Sequence, residues 1–595
     1  LDLSSRGTIT LSRVNSEHNN GRGAYIYNSN ALSPKSILIT DSVFSNNQGN
    51  GLEASSLGLI SLKGVDASDN SVQDWVIDFA GQTANDFLST NHGEDIWKFS
   101  GTNGAPVNII LQSIYFDAFV ELRDANWSLI ASDDNSYGSN NAQIITNLPS
   151  TGDFYLVVSS ALGGENGQYR LSLNDPTQTM NIYYYFSGAI LSNTSGEAGV
   201  SILPSGSGIG GTFRQNNISG LSISTNGVIT LNKVWAEENG ADGVNGYNNT
   251  GTNKNIAITN GYFNNNHNYG AQFYTAGNFS WNGGGASGNA YYGFYLDGDS
   301  ATTANTATIS NASFDDNNSN GFRIYVYGNV TLNTVNASDN FSSGGFVDNC
   351  RWNGSGCDGT GNVTITSPTG NTFNSNGYQG ITIITNGITK LTNINANSNT
   401  DNGVSIDSTN NTGSFSLQNP GTKMINTISD NGGFGVYLNS LGTILVNKVT
   451  SENNYYSNLY LVTTSNAASA VTLTNSATNG SDLSDGFFIQ SDGGVIVKAV
   501  SASNNYNRGG YVDTFANQNA LVTTSIFNNN GDFGLEVNSD GNVTLNALTV
   551  TGNADNGLRV NNTAGSGKVE ILSTLGENFF NGNAYHGMYI TTNGD

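Results

Sequence analysis

A motif of fixed spacing recurs along the whole 595-residue chain and restricts the fold more than any other feature. In residues 227–244, GVITLNKVWAEENGADGV, a glycine opens a stretch of alternating apolar and polar residues, and an asparagine follows twelve positions later. The same offset occurs nine times, and the asparagines are Asn19, Asn70, Asn239, Asn289, Asn340, Asn399, Asn454, Asn505 and Asn553. Because one repeat is too short to bury its own apolar face, the pattern predicts units that stack on one another.

A second motif alternates with the first: an apolar residue, usually Phe, stands three positions before an asparagine, as in Phe314 and Asn317. From this asparagine to the next asparagine of the first motif the step is 23 residues, as from Asn317 to Asn340. In one repeat Asp482 takes the asparagine position, 23 residues before Asn505. The step from an asparagine of the first motif to the next asparagine of the second motif varies from 25 to 36 residues. One turn therefore takes about 25 residues, and one corner of every second turn accepts insertions.

Stretches such as Val543-Thr544-Leu545 alternate with period two, which is typical of β-strands. Strands this short bury their inner faces only when successive turns stack into a parallel β-solenoid. We therefore expect an all-β chain, and the pattern resembles the right-handed parallel β-helix family of pectate-lyase-like and adhesin-like proteins. At about 4.8 Å per turn, roughly nineteen turns would form a rod on the order of 90 Å long.

The asparagine column has two interpretations. Equivalent asparagines lie above one another in a solenoid, so their side chains either hydrogen-bond along the stack or close local Asx-turns. Four positions after each asparagine the residue is normally Gly, with Asn458 and Asp74 as exceptions. Because Gly, Asn and Asp tolerate left-handed backbone best, this pattern predicts a left-handed residue at that corner.

About a hundred extra residues interrupt the repeat after Asn70. We place this insertion at the variable corner and assign Gly199 to the corner of the next turn. The chain then divides into β-helix at 1–80, an inserted domain at 84–175 and a continuation of the β-helix at 180–595.

The inserted run opens with an acidic-x-Trp-x-Phe motif at Asp95, Trp97 and Phe99. The stretches FDAFVELRDANWSLIASDD, LPSTGDFYLVV and GQYRLSL follow in order. These motifs resemble the bacterial pre-peptidase C-terminal domain over about 90 residues. The resemblance implies a β-sandwich, a secreted protein and an accessory role, sometimes in binding protein or polysaccharide.

Some relatives of that domain bind calcium, and carboxylates are the hard oxygen ligands that this ion prefers. The alternative is that the Asp133-Asp134 pair belongs to a polar turn. The candidate ligands are Asp95, Asp117, Asp133 and Asp134.

Charge and cysteine content restrict the partners and the setting. The net charge is −25, which repels phosphate backbones and argues against nucleic-acid binding. Cys350 and Cys357 stand in CRWNGSGC without the further Cys or His that a zinc site needs, so they form a disulfide or remain free thiols. We favour the disulfide and an extracellular setting. No apolar run is long enough for a membrane span.

The sequence contains no concentrated catalytic motif, although a groove assembled across turns would be hidden from sequence spacing. We therefore expect a structural or adhesive protein of the cell surface: a segment of a larger repeat protein, or a filament component that contacts other copies of itself end to end. Expected ligands are surface polysaccharide or protein, with no cofactor except the calcium considered above. The alternatives are a polysaccharide lyase or hydrolase, and carbohydrate binding without cleavage through exposed aromatic residues such as Trp235 and Trp352.

Overall fold

A computed structural model describes the chain from residue 1 to residue 594. The residues outside the description are 20, 71–76, 79–82, 89–93, 139, 163–166, 175–186, 249–253, 299–303, 351–355, 358, 409–412, 420–425, 464–468 and 595. Among the described residues no helix is long and apolar enough to cross a membrane.

The chain winds into the predicted parallel β-helix, and each turn contributes one strand to a first parallel sheet of 19 strands. These strands are Asp2–Ser4, Ala24–Tyr27, Leu52–Ser55, Ala189–Asn193, Leu221–Thr225, Val244–Asn248, Ala271–Thr275, Phe294–Asp297, Phe322–Tyr325, Gly345–Asp348, Ile381–Ile384, Val404–Ser408, Val436–Ser440, Leu459–Thr463, Phe487–Ser491, Gly510–Thr514, Leu535–Ser539, Leu558–Asn562 and Met588–Thr592.

A second parallel sheet faces the first across the core. Its main strands are Ile9–Ser12, Ile37–Thr40, Ile60–Lys63, Val200–Leu203, Ile229–Asn232, Ile256–Tyr262, Phe279–Gly285, Ala307–Ser313, Val330–Asn336, Val363–Thr366, Thr389–Leu391, Phe415–Gln418, Ile444–Asn447, Val471–Thr474, Val495–Lys498, Ala520–Thr523, Val543–Asn546 and Val569–Leu572. After a bend the turn continues in short strands: Val65–Asp66, Gly211–Thr212, Val234–Trp235, Asn371–Thr372, Ile394–Asn395, Asn426–Thr427, Val449–Thr450, Ile526–Asn528, Thr549–Thr551 and Phe579–Asn581.

The period-two pattern places apolar side chains inward in every turn. In Leu221–Thr225 the buried and partly exposed residues alternate. The parallel register then stacks equivalent residues, as in Ile229, Ile256 and Phe279, so that one continuous apolar core runs through the β-helix. No single turn could exclude water in this way, which is why the fold requires the repeat.

The asparagine column forms a ladder of side chains inside the stack. Each Nδ2 donates to the Oδ1 of the asparagine in the next turn, and the same Oδ1 also accepts the backbone N–H of the donating residue. Nδ2-to-Oδ1 distances run from 2.7 to 3.1 Å between Asn19 and Asn454 and again between Asn505 and Asn583. The rungs pair buried amides that water cannot reach.

The prediction that the corner glycine has a left-handed backbone is wrong. The left-handed residue is the one before each ladder asparagine, such as Glu238 with φ 58° and Asp316 with φ 57°. Glycine four positions after the asparagine is needed because the neighbouring rung approaches it closely. A Cβ on Gly321 would lie 2.8 Å from Asn340 Nδ2 and 2.5 Å from the Gly344 carbonyl oxygen.

The ladder changes partners in one place, and the assignment of Asp482 to it is wrong. Ser481 takes the asparagine position, because its backbone N–H donates to Asn505 Oδ1 at 3.0 Å. The missing side chain is replaced by Asn458, which stands where other turns have the corner glycine. Asn458 Oδ1 accepts the Nδ2 group of Asn454 at 2.6 Å and its backbone N–H at 3.2 Å.

The corner after the first-sheet strand takes one of two forms in many turns. Where it is short, a Ser or Thr side chain accepts the N–H of a glycine two residues later, as from Gly227 to Thr225 Oγ1 at 2.9 Å. Where it is longer, an asparagine bridges two turns: Asn349 Nδ2 donates to the carbonyl oxygens of Gly328 and Gly361. At such a corner the asparagine side chain pairs carbonyl groups of two turns that the insertion separates from a backbone partner.

The inserted domain is a sandwich of two antiparallel sheets with its own apolar core. One sheet holds, in order, Leu129–Asp133, Ala118–Asp124, Gly152–Ser160, Glu94–Gly101 and the short Ile77–Asp78, which pairs in parallel. The other holds Ala142–Asn147, Pro106–Ser113, Gly167–Leu173 and Thr83–Leu88.

The insertion leaves the β-helix between a ladder asparagine and the glycine that follows it, a corner called here the ladder corner. The prediction that the insertion lies at the variable corner is therefore wrong. Strand Leu52–Ser55 pairs directly with Ala189–Asn193, and Asn70 Nδ2 donates to Asn216 Oδ1 at 3.0 Å. Gly188, and not Gly199, is the corner glycine, because a Cβ there would lie 2.6 Å from Asn216 Nδ2. The β-helix therefore continues across the insertion with its ladder intact.

Candidate ligand-binding face

The second and fourth residues of the first-sheet strands point outward, and the parallel register aligns them in two columns. The fourth-residue column contains Tyr247, Tyr274, Asp297, Tyr325 and Asp348. The second-residue column beside it contains Asn245, Gln272, Tyr295, Arg323 and Phe346. This stretch of the face therefore combines aromatic rings with charged and amide groups.

Aromatic residues from the ladder corner extend the same surface. The first aromatic cluster is defined here as Tyr247, Tyr269, Tyr274, Tyr291, Tyr292, Tyr295, Tyr325 and Phe346. Tyr247 and Tyr274 stack in parallel at 4.6 Å, whereas Tyr295 is tilted by 55° to Tyr274 and by 59° to Tyr325. Tyr247 is 39% exposed and Tyr291 is 40% exposed. Tilted, partly exposed rings offer apolar surface together with hydroxyl groups.

Charged groups lie within this cluster. Asp242 is buried, and its carboxylate accepts the Asn268 side-chain amide at 2.8 Å and the Tyr269 N–H at 3.3 Å. Burial raises the pKa of Asp242 to about 6, because these hydrogen bonds only partly replace water. Burial alone would lower the pKa of Arg323, but a 3.3 Å hydrogen bond to the Tyr292 hydroxyl helps to raise it.

A second aromatic cluster lies further along the same face and is defined as Phe434, Tyr437, Tyr456, Tyr460, Phe488 and Tyr511. Tyr437, Tyr460, Phe488 and Tyr511 form one column with successive ring centroids 5.1, 4.9 and 4.9 Å apart and planes within 16° of parallel. Because these rings cover one another's faces, they present mainly edges and hydroxyl groups to a ligand. The tilted rings of the first cluster are therefore the better binding surface.

Arg508 closes the second cluster. Its Nε and Nη2 atoms donate to the two carboxylate oxygens of Asp485 at 2.9 Å, and Nη1 donates to Glu536 at 2.8 Å. The guanidinium carbon lies 4.2 Å from the Tyr511 ring centroid. Burial alone would lower the pKa of Arg508, but its bonds to both carboxylates raise it. This charge network is compensated internally and leaves Arg508 little capacity to bind a ligand.

Trp235, which sequence analysis singled out, does not contribute to this face. Trp235 is half-buried beside the second sheet and packs edge-on against Tyr262 at 6.2 Å. Trp352 lies outside the described residues. Cys350 and Cys357 form the predicted disulfide, with Cα atoms 4.7 Å apart.

The four proposed calcium ligands belong to the sandwich and have separate roles. Asp95 is buried and accepts the Tyr169 hydroxyl at 2.7 Å. Burial alone would raise the pKa of Asp133, but hydrogen bonds from Ser136 and Gln143 lower it. Asp117 is half-buried and Asp134 is exposed. Across the described residues no group of three or more His, Cys, Asp or Glu side chains is arranged to hold a metal ion.

The aromatic clusters were missed because the repeat was aligned on its asparagines and glycines alone. Residues two and four positions after the corner glycine form the outward columns, as Tyr295 does after Gly293. A count of residue types at those positions would have identified the aromatic face.

Comparison with known families agrees with this architecture. The model of the bacterial pre-peptidase C-terminal domain matches residues 93–160, and the model of the right-handed β-helix region matches residues 425–573. No curated protein matches the chain. The fold is thus a right-handed β-helix that carries an inserted bacterial pre-peptidase C-terminal domain.

Solved structures similar to parts of the chain include the pre-peptidase C-terminal domain of collagenase from Bacillus anthracis, with 18% identity and a TM-score of 0.15 over 17% of this chain and 97% of that one. The A-module of mannuronan C-5 epimerase AlgE4 from Azotobacter vinelandii has 14% identity and a TM-score of 0.28 over 67% and 91%. The catalytic unit of a GH87 alpha-1,3-glucanase from Streptomyces thermodiastaticus has 11% identity and a TM-score of 0.21 over 85% and 90%.

Proposed function

We propose that the chain is part of a secreted or cell-surface protein with a structural and adhesive role, and that its first aromatic cluster holds a neutral polysaccharide. The observation that carries this proposal is the set of eight aromatic residues, five from the outward face of the first sheet and three from the adjoining ladder corner. The disulfide and the pre-peptidase C-terminal domain support a location outside the cytoplasm.

A polysaccharide fits the cluster because a pyranose ring has apolar C–H faces and a rim of hydroxyl groups. Tilted rings such as Tyr295 offer surface to the faces, while Asp297 and the tyrosine hydroxyls offer partners to the rim. The carboxylates of Asp242 and Asp297, together with the net charge of −25, disfavour uronate polymers. An extended chain along the stack would meet equivalent positions about every 4.8 Å.

Isothermal titration calorimetry with cellohexaose, chitohexaose and laminarihexaose tests this proposal. We expect at least one of them to bind, and we expect Tyr247→Ala combined with Tyr291→Ala to weaken binding by roughly tenfold or more, which is about 1.4 kcal/mol. The control is Tyr585→Ala, which removes a tyrosine that is 73% exposed and lies outside both clusters. The proposal is refuted if no hexasaccharide binds, or if the control weakens binding as much as the double variant.

A second candidate function is hydrolysis of the bound glycan. It is favoured by the raised pKa of Asp242, which is about 6, so that a minority of these carboxyl groups is still protonated near neutral pH and a larger share below it. Burial raises the pKa of Tyr274, and the charges of Asp297 and Asp242 raise it further, so two carboxylates lie close to one ring of the cluster. Release of reducing ends, lost in Asp242→Asn but kept in Asp315→Asn, which changes a half-buried carboxylate outside the first aromatic cluster, would establish this activity. Binding without release would leave the adhesive role alone.

A further inference from the structure

A hairpin of the sandwich domain places a tryptophan in an unfavourable backbone conformation. Strands Ala118–Asp124 and Leu129–Asp133 are joined by a tight turn in which Asp124 Oδ1 accepts the N–H groups of Asn126 and Ser128 at 2.8 and 2.9 Å. Trp127 has φ 62°, in the left-handed region. Gly and Asn suit this position, whereas a bulky side chain makes it costly. The turn itself therefore gives no reason for a tryptophan.

The side chain of Trp127 also contributes little to the core. It is 45% exposed and stacks on Tyr155 with ring centroids 5.1 Å apart and planes 13° from parallel. Arg123 Nη1 donates to the Trp127 carbonyl oxygen at 3.0 Å, and this hydrogen bond ties the turn to the strand that precedes it. The indole is thus held by Tyr155 on one face and by the Arg123 guanidinium, whose carbon lies 6.0 Å from the ring centroid, while nearly half of the residue stays exposed. Backbone strain together with an exposed, immobilised ring is a feature of binding sites.

Charged groups surround this surface on both sides. Lys98, Tyr155 and Arg123 lie in register across three neighbouring strands of the five-stranded sheet. Arg123 also pairs with Glu121 at 2.8 Å. Within the described part of the domain, the hydrogen bonds of Arg123 use three of the five N–H groups of its guanidinium, so that the other two can donate to a ligand.

We propose that Trp127, Tyr155 and Arg123 form a second binding site, the Trp127 platform, for one pyranose residue of a neutral glycan. A flat ring surface bordered by donors and acceptors matches a pyranose, with its apolar face and equatorial hydroxyl groups. A polyproline peptide would instead require a slot between two rings, and Trp127 covers Tyr155 and leaves no such slot. Two sites on one chain would strengthen the hold on a long glycan through effective concentration.

The variant Trp127→Gly provides a sharp test, because glycine suits the left-handed backbone while it removes the ring. We use the full chain that already carries Tyr247→Ala and Tyr291→Ala, so that binding at the first aromatic cluster is disabled. In this background we expect cellohexaose or chitohexaose to bind, and we expect Trp127→Gly to weaken that binding by tenfold or more while the melting temperature stays unchanged. Trp127→Asn should behave in the same way, since Asn also tolerates this conformation.

The matched control is Tyr137→Ala, which removes another exposed aromatic side chain of the same domain. Retention of binding in both Trp127 variants would overturn the proposal, and so would an equal loss in the control. Binding of a proline-rich collagen-like peptide that depends on Trp127, with no glycan binding, would overturn it as well. The change from two binding sites in the wild-type chain to one in the double tyrosine variant reports only on the first aromatic cluster, and the further loss in the Trp127 variants reports only on the Trp127 platform, so the two proposals fail separately.

Discussion

Replacement of one ladder asparagine should open the β-helix locally, and Asn317→Ala is the clearest case. Asn317 is 1% exposed, and its side chain takes part in four hydrogen bonds. Its Nδ2 donates to Asn340 Oδ1 at 3.0 Å and to the Ala286 carbonyl oxygen at 3.2 Å, while its Oδ1 accepts the Asn289 N–H at 3.0 Å and the Asn289 Nδ2 at 2.9 Å.

The expected loss follows from these four bonds. Each buried hydrogen bond contributes about 1 kcal/mol, so the four lost bonds total about 4 kcal/mol, and the two Asn289 donors left without an acceptor make this a lower bound. Because each turn contacts only its neighbours, the free energy of local opening should fall in the turns around residues 286–340. Since about 1.4 kcal/mol corresponds to a factor of ten, amide hydrogen exchange there should accelerate on the order of a thousandfold.

Hydrogen exchange followed by mass spectrometry measures this effect, and the neighbouring residue supplies the control. Asn318 is exposed, and no hydrogen bond of its side chain is found within the described residues. Asn318→Ala should therefore leave exchange unchanged to within a few-fold. The reasoning is refuted if Asn317→Ala accelerates exchange less than tenfold, or no more than Asn318→Ala does.

Three further predictions concern single side chains. Asn458→Gly restores the usual corner residue, yet it should lower local stability by about 2–4 kcal/mol because Asn454 loses its acceptor; faster exchange, partly reversed by Ser481→Asn, is the readout. Arg508→Met should cost about 3–5 kcal/mol because it removes the cation that Asp485 and Glu536 share and leaves them only Asn507 and Arg559 as side-chain partners, measured as a lower unfolding midpoint in urea. The raised pKa of Asp242, about 6, means that the folded state binds the proton more tightly than the unfolded state. Stability should therefore fall as pH rises from about 4 to about 6, by about 3 kcal/mol, and Asp242→Asn should abolish this dependence in thermal melts at each pH.

The repeat made the architecture predictable from the sequence, because stacking imposes the same spacing on every turn. The 23-residue step from Asn317 to Asn340 reappears as a rung of the ladder. The conformation of the corner was not predictable in this way. Glycine is favoured both where the backbone is left-handed and where another group approaches closely. Only the structure shows that Gly321 is required by the close approach of a rung, whereas the left-handed residue is Asp316.

The exceptions to the repeat were also beyond sequence reasoning. Asn458 was interpreted as a tolerated corner residue, whereas its side chain replaces a missing rung from the neighbouring turn. Residue spacing cannot show such compensation, because the two positions are related only through the stack. The aromatic face was accessible in principle, since Tyr274 and Tyr295 stand at fixed offsets from Gly270 and Gly293.

Hydroxyl-radical footprinting of tyrosine side chains tests the central claim most directly. The full chain is labelled with and without cellohexaose, chitohexaose or laminarihexaose, and oxidation is read by mass spectrometry. A glycan on the first aromatic cluster predicts reduced oxidation of Tyr247, Tyr274, Tyr291 and Tyr295 with at least one hexasaccharide, while Tyr585 stays unchanged. Unchanged oxidation of the cluster with all three glycans, or equal protection of Tyr585, would contradict a binding role for this face.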